Sequence, residues 1–213
     1  MKLSPKGQKL VALYETMAID GYDRTDGTRV VDAFKDFESR RLRNHLKIGI
    51  TEYQVKSVLD YGSGGSDWHA IGFDEIGQSA KDFYGLDVCL RYEPARGIDE
   101  RKKVDCVLCF DVLEHIFIAD LEAIVVDIFS HATKLVIINV ACYPAAAVLP
   151  NGENAHVTVR PPHYWKALID QIALRFPNVS VWLFTAESYN QPAEFPIYKA
   201  NDWINSESFV TTT

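Results

Sequence analysis

The pattern of apolar and polar positions predicts a protein built from alternating strands and helices. Short, nearly continuous apolar runs, which are typical of strands covered on both faces, occupy residues 55–60, 86–92, 104–110, 135–140 and 179–184. Apolar residues spaced three and four apart, which indicate amphipathic helices, occur in residues 9–17, 30–46, 68–83, 120–131 and 164–176. Strands that alternate with helices favour a mostly parallel sheet with helices on both faces.

This alternation begins only at residue 55, which divides the chain into a cap and a core. We predict a helical N-terminal cap over residues 1–54, a core over residues 55–200 and a tail over residues 201–213, all in one domain. Gly72 and Gly77 weaken the predicted helix at 68–83, and Tyr198 begins a predicted last short strand. The predicted fold class is α/β: a Rossmann-like, doubly wound, mostly parallel sheet with a helical cap.

The composition limits the classes of protein to which the chain can belong. An apolar share of 47% and a charged share of 24% are typical of a globular protein, which excludes a disordered or fibrous chain. No run of 18 apolar residues occurs, so no membrane partner is expected, and the N-terminus lacks the apolar stretch of a secretory signal. Four irregularly spaced cysteines favour a reducing, cytoplasmic location.

The charge of the chain is unevenly distributed. The net charge is −7, which argues against a uniformly basic nucleic-acid-binding protein. Residues 1–56 nevertheless hold 11 lysines and arginines against 8 acids, whereas residues 57–213 hold 11 against 21. Arg40, Arg41 and Arg43 in the basic front segment are either a solvated helix face or a contact for an anionic partner.

Three acids follow predicted strands, and a glycine-rich turn lies beside the first of them. Asp60, Glu93 and Asp111 each end a strand, and ligands of parallel sheets bind at that edge. Gly62 and Gly64 provide the first two glycines of a dinucleotide fingerprint, but its third place falls on an aspartate. An acid immediately before the turn suits a cationic ligand better than a pyrophosphate, and a carboxylate after the second strand can accept both hydroxyls of a ribose.

These motifs resemble the class I S-adenosylmethionine-dependent methyltransferases, in particular a small phage or bacterial type. VLDYGSGGS at 58–66 is similar to their first motif, with Ser66 in place of its third glycine, and YEPA at 92–95 is similar to their second. VDCVLCFDVLEHI at 104–116 resembles the segment after their fourth strand, including the D-V-L-E-H sequence. The resemblance covers residues 55–145 and implies S-adenosylmethionine as cofactor and methyl transfer by in-line displacement to an unidentified nucleic acid, protein or small molecule.

The resemblance also implies a role for each matching residue. Asp60 is expected to reach the amino group of the cofactor, Glu93 to hold the ribose hydroxyls, and Asp99 is a weak candidate for the adenine contact beside an abbreviated third strand. An arginine of the front segment is a candidate for the cofactor's carboxylate. The implied cofactor-binding residues are Asp60, Tyr61, Gly62, Ser63, Gly64, Glu93, Pro94, Asp111, Val112 and Leu113.

A second group of residues is expected near the methyl acceptor. Glu114 and His115 follow the fourth strand, and His156 lies in a loop that returns over the same edge, so we predict these three as catalytic residues. Together with Asp111 they also resemble the metal ligands of small-RNA 2′-O-methyltransferases, so a divalent-metal-dependent enzyme of that kind is one alternative. The others are a catalytically inactive S-adenosylmethionine-binding regulatory subunit and a nicotinamide-dependent oxidoreductase. The primary prediction includes no metal ligand.

Overall fold

A seven-stranded sheet forms the centre of the structure, a computed structural model that describes residues 3–34, 38–189 and 197–199. The strands of these described residues are β1 (Tyr22–Arg24), β2 (Arg29–Val30), β3 (Ser57–Tyr61), β4 (Val88–Glu93), β5 (Ile98–Asp99), β6 (Val104–Phe110), β7 (Ala132–Ala141), β8 (Ala147–Val148), β9 (Ser180–Ala186) and β10 (Ile197–Lys199). The order in the large sheet is β10-β9-β7-β6-β3-β4-β5. The five inner strands are parallel, and each edge strand is antiparallel to its neighbour.

Helices cover both faces of this sheet. The described helices are α1 (Pro5–Asp20), α2 (Arg43–Glu52), α3 (Ala80–Tyr84), α4 (Ile118–His131) and α5 (Pro162–Ala173), with short 3-10 helices at Glu38–Leu42, Pro94–Arg96 and Leu113–His115. Apolar side chains of α4 and α5 pack on one face of the sheet, and those of α2 and α3 pack on the other. Because successive residues of a strand point to opposite faces, the continuous apolar runs fill both cores. The predicted Rossmann-like α/β fold class is confirmed.

Several predicted elements are confirmed with shifted bounds, and one helix is much shorter than predicted. Each of the five predicted core strands is present, as are the helices predicted at 120–131 and 164–176 and the short strand at Tyr198. The helix predicted at 68–83 forms only as α3. Gly72 and Gly77 both have positive φ angles, 90° and 84°, which a right-handed helix cannot accommodate. The abbreviated third strand is β5, two residues long.

The helix predicted at 30–46 is wrong over its first part. Val30 pairs with Tyr22 in a hairpin of β1 and β2, and β8 joins the other side of β1 to complete a three-stranded sheet. Gly27 has a φ of 83°, and the carboxylate of Asp26 accepts hydrogen bonds from the amide and hydroxyl of Thr28, so the Asp-Gly pair sets a turn. Residues 35–37 of that predicted helix and the predicted tail at 201–213 lie outside the described residues.

Residues 5–34 of the predicted cap lie over the carboxyl edge of the sheet, whereas α2, which falls within the predicted cap, packs on a face of the sheet as part of the core. Leu10 and Met17 of α1 pack with Leu149 and Ala155 in a separate small core. The Ser4 amide and hydroxyl donate hydrogen bonds of 2.7 Å to the two carboxylate oxygens of a buried aspartate at the start of α4. The cap is therefore anchored to the core, and it combines a helix with a small sheet. Among the described residues, no helix has the length and apolar character needed to cross a membrane.

Candidate functional site

A cavity of about 380 Å³ lies between the carboxyl edge of the large sheet and the cap. This volume falls within the range of small-molecule sites in proteins. Most of the predicted cofactor and catalytic residues line it, namely Asp60, Tyr61, Gly62, Ser63, Gly64, Glu93, Pro94, Asp111, Val112, His115 and His156. Leu113 and Glu114 do not line the cavity, because both side chains are fully buried. The parallel order of the strands thus brings together residues that are far apart in the sequence.

The amides of the glycine-rich loop are engaged by acceptors of the protein itself. Those of Gly62 and Ser63 donate to the Tyr92 carbonyl, and that of Gly64 donates to Glu93 Oε2 at 2.8 Å. The next two amides donate to the carbonyls of Phe34 and Ser63: Gly65 to Phe34 at 2.7 Å and Ser66 to Ser63 at 3.0 Å. A phosphate site at a loop of this kind relies on backbone N–H groups that point at the ligand. The loop therefore fits a pyrophosphate poorly, which disfavours the nicotinamide alternative.

Glycine is required in this loop because other parts of the protein approach it closely. Gly62 has a φ of 79°, and a Cβ atom there would collide with the side chain of Val112. Gly64 has a φ of 54°, and a Cβ atom would lie 2.7 Å from the Phe34 carbonyl oxygen. At both positions the backbone is left-handed and there is no space for a Cβ atom. The loop is thus packed between the segment after β6 and the cap.

Asp60 stabilises the end of the glycine-rich loop through hydrogen bonds. Its Oδ2 accepts hydrogen bonds from the Ser66 hydroxyl at 2.8 Å and from the Trp68 indole at 3.0 Å. Burial raises the pKa of Asp60 to about 6, against the opposing effect of those two hydrogen bonds. Asp60 also lines the cavity, so its charge lies close to the space beside the loop.

The raised pKa of Asp60 predicts an unusual pH dependence of stability. A carboxyl group whose pKa is higher in the folded state stabilises the protein when protonated, and that contribution is lost as the pH rises through about 6. The free energy of unfolding of Asp60→Asn should therefore rise by about 2 kcal/mol relative to that of the wild type between about pH 4 and about pH 8. Denaturant unfolding at both pH values measures the change.

A matched control for this prediction is Asp105→Asn. Amides of Lys56 and Ser57 and the ammonium of Lys134 lower the pKa of Asp105, against the opposing effect of burial, so its stabilisation is present above the unfolded pKa and lost at low pH. The control variant should lose stability at neutral pH, in the opposite direction to Asp60→Asn. A pH-independent difference between wild type and Asp60→Asn would contradict the prediction.

Glu93 lies at the end of β4 and faces the same cavity. Its Oε2 accepts the Gly64 amide and its Oε1 accepts the Ala95 amide at 3.0 Å. Burial raises its pKa, and both backbone hydrogen bonds oppose that effect. Each carboxylate oxygen can accept a second hydrogen bond, so the group retains capacity for a ligand diol. Asp99, the weak adenine candidate, pairs instead with Arg101 at 2.6 Å and does not line the cavity.

Asp111 begins the segment after β6 in a strained conformation. Its φ of 53° is uncommon for a residue other than glycine. The Asn139 side-chain amide donates to Asp111 Oδ1 at 2.5 Å, and the Asp111 amide donates to the Asn139 carbonyl at 3.1 Å. These two bonds hold the bend that turns Val112 towards Gly62. Strain that the surrounding structure maintains in this way is typical of functional sites.

The two predicted catalytic histidines contact each other at the far side of the cavity. Their ring centroids are 4.7 Å apart. His156 Nδ1 lies 2.5 Å from the Tyr143 carbonyl oxygen, and His115 Nδ1 lies 3.0 Å from the Ala155 carbonyl oxygen and 2.5 Å from the Tyr14 hydroxyl. A carbonyl oxygen only accepts, so Nδ1 of neutral His156 carries the proton and its Nε2 carries the lone pair. The Tyr14 hydroxyl also bonds the Ala155 carbonyl at 3.0 Å, so His115 Nδ1 either donates to this pair or accepts from the hydroxyl.

The protonation of these histidines is governed by burial. Burial, with a smaller contribution from the neighbouring His156, lowers the pKa of His115 to about 3 against the opposing effect of the backbone hydrogen bond. Burial also lowers the pKa of His156. Both rings are therefore neutral at pH 7. Because a weakly basic imidazole is a poor proton acceptor, His156 is the better candidate for a general base.

Glu114 completes this group from a fully buried position. Its Oε1 accepts the Ala141 amide at 2.8 Å, which ties the 3-10 helix after β6 to the end of β7. One ligand atom from each of Glu114, His115 and His156 lies within 4.8 Å of the others, and within the part of the chain that the structure describes this is the group that can hold a metal ion. Asp111, which the resemblance adds to such a ligand set, is not a member of it.

The sequence pattern does not identify some of the aromatic residues around the histidines. Six rings of the cavity wall form a spatial row in which each ring contacts the next, with neighbouring centroids 4.7–6.1 Å apart. In spatial order they are Tyr22, Phe34, Tyr14, His115, His156 and Tyr143. We call this set the aromatic row. The spacing of apolar residues places Phe34 on a helix face, and Tyr143 follows a strand with no local signal of a site. The positions of both depend on how the cap folds onto the core, which no local pattern reports.

Comparisons with models of known families, with curated proteins and with solved structures find no match to this chain. The class of protein defined by the fold is therefore the Rossmann-like α/β class with a capped cavity at the carboxyl edge of its sheet. The resemblance to methyltransferases rests on the motifs alone and stays a prediction.

Proposed function

We propose that the protein is a methyltransferase that takes its methyl group from S-adenosylmethionine. The observation that supports this most is the pairing of Glu93 with a glycine-rich loop whose amides are engaged by the protein. Such a loop offers a close-fitting wall but few donors to a phosphate, while a carboxylate accepts both hydroxyls of a ribose. S-adenosylmethionine combines a ribose with a sulfonium cation and carries no phosphate. The acids at the strand ends match that charge.

The residues of the chain would contribute position, charge and a proton acceptor. Glu93 holds the ribose, and the buried carboxylate of Asp60 keeps the loop in place and favours a cationic ligand. Bound S-adenosylmethionine supplies a methyl group on an activated sulfur, and transfer is an in-line displacement that depends on proximity and orientation. His156 Nε2 takes the proton of the acceptor group, and His115 holds its position beside it. The four cysteines are free thiols, which supports the proposed cytoplasmic location.

Calorimetry with S-adenosylhomocysteine and with NAD tests the cofactor. We expect binding of the first and none of the second. Glu93→Gln should weaken the binding of S-adenosylhomocysteine at least tenfold, because hydrogen bonds to a charged group contribute about 1.5–3 kcal/mol each. Glu100→Gln is the matched control, since Glu100 accepts a backbone amide of β4 outside the cavity. Binding of NAD without S-adenosylhomocysteine would overturn the proposal.

A metal-dependent methyltransferase is a second candidate, favoured by the group of Glu114, His115 and His156. Metal-binding histidines usually donate their other ring N–H to a carbonyl or carboxylate, and the Nδ1 atom of each ring lies within 3.0 Å of a backbone carbonyl oxygen here. Two imidazoles and one carboxylate suit Mn²⁺ or Fe²⁺ better than Mg²⁺. Glu114, His115 and His156 would hold the ion, which would supply a Lewis acid to the acceptor oxygen. The regulatory-subunit alternative differs from both by binding cofactor without turnover.

A further inference from the structure

A strip of positive charge runs along the chain next to the cavity. Residues 39–51 hold Arg40, Arg41, Arg43 and Lys47 and contain no aspartate or glutamate. The structure places them on a 3-10 helix and the following α2, with Arg40, Arg41 and Lys47 exposed. In a protein with a net charge of −7, this concentration of one sign is local. We call these four residues the basic strip.

Aromatic rings hold the cations of the basic strip in place. The guanidinium of Arg40 lies 5.6 Å from the Phe73 ring centroid, and the ammonium of Lys47 lies 4.2 Å from that of Phe83. These two rings are themselves neighbours, with centroids 5.4 Å apart. Arg43 pairs with Glu75 on the loop before α3, which partly neutralises it. Contacts of this kind fix the direction of long side chains without removing their charge.

One residue of the basic strip belongs to the wall of the cavity. Arg41 lines the cavity, and its guanidinium lies 5.5 Å from the ring of Tyr189, which is 65% exposed and also lines it. Arg24 and Arg96 are further cations of the cavity wall. The six rings of the aromatic row, which include the two histidines, line the same cavity. One cavity wall thus carries both cations and planar rings.

We propose that the methyl acceptor is a single-stranded nucleic acid, with its phosphates on the basic strip and one unstacked base on the aromatic row. Phosphate contacts position a strand, and aromatic side chains receive its bases by stacking. A small metabolite would leave the strip outside the cavity unused, and an acidic peptide would leave the row of rings unused. A duplex keeps its bases paired and cannot place one on the row without flipping it. This inference rests on the proposed function, because the strand is named as the acceptor.

Fluorescence anisotropy with short labelled single strands of RNA and of DNA, and with a duplex, tests the inference in the presence of S-adenosylhomocysteine. The test variant carries Gln at Arg40, Arg41 and Lys47. The matched control carries Gln at Lys9, Lys102 and Lys103, three exposed lysines outside the strip. We expect the test variant to bind single strands more weakly than the wild type. The slope of the logarithm of its binding constant against the logarithm of the salt concentration should become less steep by about 2, because each phosphate contact contributes about 0.7 to that slope. The control should keep the wild-type slope.

A second variant separates stacking from charge. Tyr22→Leu removes the ring that stacks on Phe34 at an interplanar angle of 12°. It should weaken single-strand binding about tenfold with an unchanged salt slope, since stacking involves no counterion release. Calorimetry with S-adenosylhomocysteine on the same preparations tests the proposed function independently.

Four outcomes decide between the possibilities. Cofactor binding with no binding of either single strand at low salt overturns this inference and leaves the proposed function standing. An equal loss in the test and control variants overturns it too, as does duplex binding as tight as single-strand binding. Single-strand binding without cofactor binding overturns the role of acceptor together with the proposed function. The RNA and DNA arms identify which strand is preferred.

Discussion

Replacement of Gly62 by alanine is expected to abolish binding of S-adenosylhomocysteine and to lower the free energy of unfolding by about 3 kcal/mol. A left-handed conformation costs a residue with a Cβ atom about 1–2 kcal/mol, and forcing a methyl group into packed space costs about 1–3 kcal/mol more. The methyl group would meet the side chain of Val112, so either the loop or the segment after β6 must move. Calorimetry and denaturant unfolding measure the two effects.

The variant Gly85→Ala separates the cost of the left-handed conformation from the cost of the collision with Val112. Gly85 ends α3 with a φ of 68°, yet beyond its own chain neighbours no atom of the described residues lies within 4 Å of the position that its Cβ would take. Its substitution should therefore cost only the conformational strain, about 1 kcal/mol, and leave cofactor binding intact. If both alanine variants lost the same free energy of unfolding and bound S-adenosylhomocysteine equally well, the close approach of the loop to Val112 would not be needed for cofactor binding.

Replacement of His156 by alanine should reduce methyl transfer about 100- to 10,000-fold while leaving the binding of S-adenosylhomocysteine unchanged. The imidazole is neutral at pH 7 and presents its Nε2 lone pair, so its loss removes the proton acceptor. The assay follows labelled methyl groups from S-adenosylmethionine into single-stranded nucleic acid. His131→Ala is the matched control, because His131 Nδ1 also lies against a backbone carbonyl, 2.7 Å away, but its ring does not line the cavity.

Two further treatments distinguish a base from a metal ligand. If His156 is a general base, added imidazole should restore part of the activity of the alanine variant, and chelators should leave the wild type active. If His156 holds a divalent ion, EDTA should inactivate the wild type and Mn²⁺ should restore it, because Glu114 and both histidines then act as one ligand set. Wild-type activity in the alanine variant would exclude both roles.

The sheet and its edge are predictable from the sequence because both follow from local patterns. Continuous apolar runs mark strands covered on both faces, and the carboxyl ends of parallel strands meet at one edge. That rule alone places Asp60, Glu93 and Asp111 together, and all three line the cavity. The convergence of Glu114 with His115 and His156 follows in part from the same rule, since the first two directly follow a central strand.

The cap is harder to predict, because two local signals compete within it. Val30 and Phe34 have helical spacing, but the Asp-Gly pair just before them sets a hairpin turn that pairs Val30 with Tyr22. The contact between Tyr14 and His115 spans 101 positions and leaves no periodic signal. The aromatic row and the roles of the loop amides likewise depend on how the cap is placed over the sheet.

The anchoring of α1 by Ser4 has a practical consequence for work with this chain. The same helix that Ser4 fastens to α4 carries Tyr14, whose hydroxyl touches His115. Residues 4–14 thus connect α4 with an imidazole in the cavity wall. Loss of the Ser4 anchor is therefore expected to change the surroundings of His115, so the kinetics of preparations with and without Ser4 should not be compared directly.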